Sequence, residues 1–192
     1  MTSDISLSSP NLLPQEDADY LCSLIRTIPD FPSEGILFRD FMPVFAQAKS
    51  MNLLIQGLVN ALPVMPSEFD YIAGLEARGF LIGTALAQKL DKGFIAVRKA
   101  GKLPPPVLSQ SYDLEYGKAT MEIEKDLVKP GSRILIVDDL IATGGTAWSA
   151  MKLFESIDCS VAVFSFVMEL DGLDGTAKLD NHPMSTMMVM PA

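Results

Sequence analysis

Cysteine is nearly absent from this chain: Cys22 and Cys159 are all it has, far apart and without metal-ligand spacing. Two such residues build neither a disulfide framework nor a zinc site, so both are read as reduced core residues of a cytoplasmic protein. His182 is the single histidine; it stands just before Pro183 and is expected on a surface loop, not as a ligand. Positive charge is scarce too, with 15 Lys and Arg against 24 Asp and Glu and a net charge of −9. A surface that neutralises nucleic-acid phosphates needs the opposite balance, which excludes nucleic acid as a partner. No apolar run approaches the ~20 residues of a membrane helix. The longest, residues 161–168, has the length of a buried strand, so no membrane is expected either. Residues 1–14 have neither the basic start nor the apolar centre of a signal peptide and read as a loose arm. Repeats and low-complexity tracts are missing.

What remains suffices for one domain over residues 1–192, since 48% of the chain is apolar. Leu21, Leu24, Ile25 and Ile28 fall at helical spacing and predict an amphipathic helix over 15–28, stopped by Pro29. Prolines and a glycine in 29–40 argue against regular structure there, although aromatic residues persist. Residues 47–62 give the clearest helix, with Met51, Leu54, Ile55, Leu58, Val59 and Leu62 on one side. Tyr71, Ile72 and Ala73 form a short strand ended by Gly74, then a tight turn, Leu75-Glu76-Ala77-Arg78-Gly79, leads into a helix over 80–90. A strand over 94–97 ends at Arg98, Lys99 and Lys102, a basic cluster in an otherwise acidic chain. Residues 101–116, with Pro104, Pro105 and Pro106, form a long loop hung as a lid before a half-exposed strand at Ala119, Met121 and Ile123. Residues 184–190 read as a last edge strand. Strands alternating with helices predict an α/β class, a parallel twisted sheet flanked by helices, with ligands at the carboxyl ends of its strands.

One stretch organises the rest: Ile134-Leu135-Ile136-Val137-Asp138-Asp139-Leu140-Ile141-Ala142-Thr143-Gly144-Gly145-Thr146. A short, unbroken, branched apolar run is a strand covered on both faces. Two carboxylates follow where it is expected to end, and a flexible turn then opens a helix. Backbone N–H groups and the helix dipole favour an anion at such a terminus. Two acids beside a phosphate must hold something between themselves and its charge, and ribose hydroxyls would serve. A sugar phosphate fits, whereas a nucleoside triphosphate loop would need a Lys after the glycines. A βα turn whose acids cap a helix, or a phospho-acceptor aspartate, are the other readings of the same residues.

This stretch resembles the phosphoribosyl-diphosphate motif of type I phosphoribosyltransferases. Residues 26–40, with Ile-Pro-Asp-Phe-Pro and Leu-Phe-Arg-Asp, together with 73–80, 97–104 and Tyr-Asp-Leu-Glu-Tyr-Gly at 112–117, resemble the adenine-specific members of that family. The resemblance implies the type I core with a flexible hood over 99–117, and a homodimer. It implies conversion of adenine and 5-phospho-α-D-ribose 1-diphosphate to AMP and diphosphate, in purine salvage. Ala142, Thr143, Gly144, Gly145 and Thr146 would cradle the 5′-phosphate, while Asp138 and Asp139 would hold the ribose hydroxyls. Arg78, Arg98, Lys99 and Lys102 would bind diphosphate, some of them from the partner subunit. Mg²⁺ would be held mainly by substrate oxygens, and through water by Asp138 and Asp139. Leu37, Phe38 and Arg39 would form the adenine wall. Because Ala142 replaces an acid found in hypoxanthine-type relatives, Glu115 in the hood, next to Tyr116, is the expected general acid or base, with Arg78 the other catalytic residue. A non-proline cis peptide is expected at Glu76–Ala77. Another base (xanthine, guanine or orotate) and a non-catalytic phosphoribosyl-diphosphate sensor are the alternatives.

Overall fold

The fold is built around β8 (Arg133–Ile141), whose apolar residues alternate between two buried faces. Leu135 and Val137 turn into one core, Ile134 and Ile136 into the other, all with no exposure. The branched run is thus covered on both sides, as its sequence predicts. Beside it lie β4 (Tyr71–Leu75) and β9 (Ser160–Asp171), both parallel to it. The computed structural model, which describes residues 4–114, 117–179 and 181–191, extends the sheet on both sides. β10 (Met184–Pro191) pairs parallel with β9, and β5 (Gly93–Lys99) parallel with β4. Antiparallel strands close the edges: β1 (Ser6–Leu7) on β10, and β7 (Gly117–Glu124) followed by β6 (Val107–Leu114) on β5. The order is β1-β10-β9-β8-β4-β5-β7-β6.

α-Helices make two of the parallel crossovers, the usual solution for strands paired this way. α4 (Arg78–Leu90) links β4 to β5, and α5 (Gly145–Glu155) links β8 to β9. α4, α3 (Ala48–Ala61) and α1 (Gln15–Leu24) supply Ile82, Leu86, Leu54, Leu58 and Leu21 to the core that holds Leu135. α5 supplies Ala150, Met151 and Phe154 to the core that holds Ile136. α2 (Met42–Phe45) is a single turn leading into α3. No described helix is long and apolar enough to cross a membrane.

Several expected elements change. α1 stops at Leu24, and residues expected to continue it form β2 (Arg26–Pro29), which pairs antiparallel with β3 (Leu37–Asp40). A residue before proline is pushed out of the helical region, so Ile28 favours extension; cross-strand bonds, including the Arg26–Asp40 ion pair, complete the hairpin. Its turn uses Asp30 (φ 57°) and Gly35 (φ 84°), with Gly35 N donating to Asp30 Oδ1 at 2.8 Å. Of the segment expected to be irregular, residues 30–36 are so, while its ends belong to a second, two-stranded sheet. Of the long loop expected over 101–116, residues 107–114 are strand, held by ladder bonds to β7, and the turn before them is what stays irregular among the described residues. β8 does not end before the acids but runs through them to Ile141, paired with β9 as far as Glu169. Residues 4–14 of the expected arm are laid on the domain: β1 covers β10, which is then not the edge, and Ile5, Leu12 and Leu13 are buried. Their apolar side chains have a core to fill, which composition alone did not reveal.

At the amino ends of β4 and β8, Asp70 and Arg133 set the register. Asp70 N donates to Arg133 O, and Arg133 N and Nη2 donate to the Asp70 carboxylate, each at 2.8 Å. The guanidinium first, then the backbone N–H, lower the Asp70 pKa from 3.8 to about 2. A depressed carboxyl contributes stability that is present above its unfolded value and lost as pH falls through the folded one. In a carboxyl-carbon NMR titration Asp70 should show a midpoint of about 2. The cost of Asp70→Asn, measured by urea denaturation, should be full at neutral pH and shrink below pH 3.8. A midpoint at the ordinary value would refute the assignment.

Candidate active site

β4 pairs with β8 only through Val137, while β4 goes on with β5 through Leu75. Beyond Val137 the two central strands part, and the carboxyl end of β8 borders a cleft. The switch between the inner strands is where such sheets bind ligands. Successive strand residues face opposite ways, so the two acids do not stand side by side. Asp138 continues the face of Ile134 and Ile136 and lines a cavity of about 120 Å³ with Leu75, Phe166 and residues 140–147. That is smaller than a full ligand pocket and suits one group at the end of a larger molecule. Asp139 continues the other face, is buried, and lies 2.5 Å from Arg78 Nε at the start of α4. This contact is an ion pair without a hydrogen bond, since the N–H is not aimed at Oδ2, which has no hydrogen-bond partner.

The cavity's far wall is the turn into α5. Gly144, at φ 74°, reverses the chain and stands as the residue before the helix. The first N–H groups of a helix have no acceptors within it, so this turn aims donors and a positive dipole end at the cavity. Opposite them, burial pushes the Asp138 carboxyl well above the usual carboxylate range, and the charge of Asp139 pushes the same way; Arg78 pulls it down by less. A buried acid in that state is relieved by hydroxyl donors or a cation. The arrangement can therefore hold an anion and a polyol at once. Among the described residues no group of three or more His, Cys, Asp or Glu is placed to hold a metal alone.

Comparison with known proteins fits this geometry. A family model described as the phosphoribosyl transferase domain matches residues 47–188. An adenine phosphoribosyltransferase of Bifidobacterium adolescentis is 62% identical over 190 residues, 99% of this chain and 98% of that protein. The chain belongs to the adenine phosphoribosyltransferase family. The same enzyme from Bifidobacterium longum strain DJO10A is 60% identical with the same coverage. Among solved structures, the adenine phosphoribosyltransferase of Thermoanaerobacter pseudethanolicus has a TM-score of 0.84 at 47% identity, covering 89% of this chain and 98% of that one. That of Saccharomyces cerevisiae, solved with an imino-altritol bisphosphate and adenine, has a TM-score of 0.81 at 45% identity, with the same coverage.

Of the residues singled out by sequence in this family member, several meet. Arg78 joins Asp139 to the β2–β3 hairpin, its guanidinium carbon lying 5.8 Å from the centre of the Phe38 ring. The peptide Glu76–Ala77 before it is cis, as expected. Arg98 approaches the same turn, donating to Glu76 Oε1 at 3.1 Å and to the Lys102 carbonyl at 3.1 Å. Lys99 and Lys102 keep exposed side chains. Arg39 does not point at the site: its buried guanidinium forms a two-toothed pair with Asp4 (3.0 and 2.6 Å) and donates to Thr27 Oγ1 at 2.6 Å. Leu37 is 47% exposed at the hairpin end. Glu115 and Tyr116 lie outside the described residues. His182, expected on the surface, is half-buried, its ring set edge-on to Phe164 at 5.9 Å.

Glu76 is a residue that sequence reasoning passed over. Its carboxylate takes the Lys99 N–H (2.8 Å) as well as Arg98, tying the turn of Arg78 to the basic strand end. Burial alone would raise its pKa, but the bonds from Arg98 and the Lys99 N–H outweigh it and hold it below its ordinary value. An acid inside the quoted turn, facing a downstream basic cluster, was the available signal. Gly74 and Gly79 are explained by contact: a methyl on Gly74 would sit 2.6 Å from Gly79 O, and one on Gly79 2.9 Å from Val137 O.

A carboxyl raised by folding adds stability below its unfolded pKa and loses it as pH rises through the folded value. Asp138→Asn should therefore make the ligand-free protein more stable than the parent above the carboxylate range, with no gain in acid, while lowering kcat/KM. Melting curves across pH check this; a variant less stable at neutral pH would refute the burial account.

Proposed function

We propose that this chain transfers the phosphoribosyl group of 5-phospho-α-D-ribose 1-diphosphate to adenine, giving AMP and diphosphate, a step of purine salvage. The observation that carries the reading is the end of β8, where a glycine-led helix terminus and the half-buried Asp138 enclose one cavity while Asp139 meets Arg78 behind it. Adenine as the base is supported by the name borne by relatives about 60% identical over 99% of the chain.

Ala142, Thr143, Gly144, Gly145 and Thr146 hold the 5′-phosphate. Asp138 and Asp139 receive the ribose hydroxyls, which donate to carboxylates that water reaches poorly, and their charge favours a ribose with cationic character. As the bond from the anomeric carbon to diphosphate breaks, negative charge grows on the leaving group. Arg78, Lys99 and Lys102 face that charge, and Arg98, paired with Glu76, keeps them together. Fixed donors that meet charge as it develops are worth about 3 kcal/mol each in such sites. Mg²⁺ fits the donor set, since Asp138 is desolvated and Asp139 Oδ2 has no hydrogen-bond donor; Asp138 and Asp139 would hold it through water. When bound it supplies charge neutralisation of the diphosphate.

The base enters at the hairpin. Backbone groups at Leu37 and Arg39 read its Watson–Crick edge and Phe38 covers its ring, while Asp4 holds the Arg39 side chain aside. Pairing the exocyclic amine with a carbonyl rejects a 6-oxo purine, which would set acceptor against acceptor. The purine nitrogen that bonds to the anomeric carbon loses a proton, and Glu115 in the hood receives it; Tyr116 belongs to the same cover. The enzyme works as a cytoplasmic homodimer, a reading supported by its two unpaired cysteines and by exposed Phe31, Ile36 and Met42 beside the hairpin.

Diphosphate release measured with adenine, guanine, hypoxanthine and orotate should proceed with adenine alone and stop when Mg²⁺ is chelated. Glu115→Gln should lower kcat by about 10²–10⁴-fold. Asp139→Asn should lower kcat/KM for phosphoribosyl diphosphate. Turnover of another base in place of adenine, or full activity of both variants, would overturn the assignment.

A further inference from the structure

Against the turn 142–146, and outside the residues that line the cavity, the chain between β9 and β10 crosses at van der Waals limits. A methyl group on Gly175 would lie 2.0 Å from Ala142 O and 3.0 Å from Gly144 N. From the other side, one on Gly144 would lie 2.1 Å from Gly175 O. Contacts this short leave no room for a side chain between two backbones. The two glycines differ in one respect that matters. Gly144 has φ 74° and needs glycine for its own conformation, whereas Gly175 has no left-handed φ. At Gly175 only the close approach requires glycine.

The segment is also firmly seated. Gly175 is buried and opens a 3₁₀ turn, Gly175–Leu179, whose Leu179 is 1% exposed in the same core as Ala147, Met151 and Phe166. The His182 N–H donates to Leu179 O at 3.0 Å, and His182 Nδ1 lies 2.8 Å from the same oxygen. By contrast Gly172, at φ 90°, has open space where a side chain would be.

We propose that the 3₁₀ turn Gly175–Leu179 is the shelf that fixes the 5′-phosphate cradle, and that Gly175 is a positioning residue for the sugar phosphate. This rests on the reading of residues 142–146 as that cradle. The donors of a helix terminus grip an anion only if they are aimed before it arrives, and a turn with two glycines does not hold its own shape. Backbone packed on backbone supplies that stiffness without placing a side chain in the cavity. Adding a methyl at Gly175 must push the cradle toward the cavity or lift the shelf, and a displacement of ~1 Å in a positioning element can cost about 10²-fold.

The test compares the affinities of AMP and adenosine by calorimetry on the purified full chain, because their ratio reads the grip on phosphate alone. Gly175→Ala should lower that ratio by about tenfold or more and raise KM for phosphoribosyl diphosphate, with adenosine affinity held. Gly172→Ala, which strains the same segment without touching the cradle, should leave the ratio unchanged. If Gly175→Ala does not fold, Leu179→Val, which lets the shelf settle without crowding the turn, should lower the ratio in its place. A normal ratio in Gly175→Ala, beside a lowered one in Thr143→Ala/Thr146→Ala, would overturn the shelf and leave the cradle standing. No change in either would remove the cradle and the shelf together. Equal losses in Gly172→Ala and Gly175→Ala would reduce the effect to general loosening and also overturn the proposal.

Discussion

The constraint on which this structure turns is that one strand buried on both faces runs on past its apolar residues to two carboxylates, Asp139 buried and Asp138 half-buried beside a cavity. β8 hides Ile134 to Val137 completely, and the ladder to β9 continues under Asp138 and Asp139. Ionised groups removed from water need partners. Asp139 has Arg78 within 2.5 Å, whereas Asp138 is held above the carboxylate range by its burial and by its neighbour. In the proposed function, a sugar's hydroxyls are the donors this end of the sheet lacks. Strain or desolvation held in a free protein and relieved by a ligand is a common arrangement at functional sites.

The surrounding parts make that strand end usable. β4 leaves β8 after Val137 and opens the cleft. α4 begins at Arg78 just there, so its first side chain reaches Asp139 on one side and the Phe38 ring on the other. Glu76 binds the turn before it to the end of β5, which gathers positive charge from distant parts of an acidic chain. The Asp4–Arg39 pair anchors the hairpin from the opposite side, so the amino-terminal stretch takes part in the fold instead of trailing from it.

Much of this was legible in the chain because it rests on local chemistry. The run 134–137 announced a doubly buried strand through its branched side chains, and Thr-Gly-Gly-Thr after two acids announced a turn into a helix. The helix of 48–61 followed from its period. Where local signals were ambiguous the reading failed. Leu21, Leu24, Ile25 and Ile28 share helical spacing, yet the last two leave the helix because Pro29 and pairing with β3 favour extension. Residues 107–114 have no apolar alternation strong enough to announce β6, and β7 makes them a strand.

The sequence alone determined the kinds of group at the site and their order: an arginine turn, a basic cluster, two acids, a flexible turn and a helix. Those are properties of neighbouring residues, fixed by propensity and side-chain chemistry. Tertiary structure alone decided that Asp138 and Asp139 face opposite ways, that Arg39 is occupied by Asp4, and that Gly175 lies against Ala142. Each depends on which distant segments the sheet order brings together. Pairing across a sheet is settled by burial and register summed over the whole chain, which no local stretch contains.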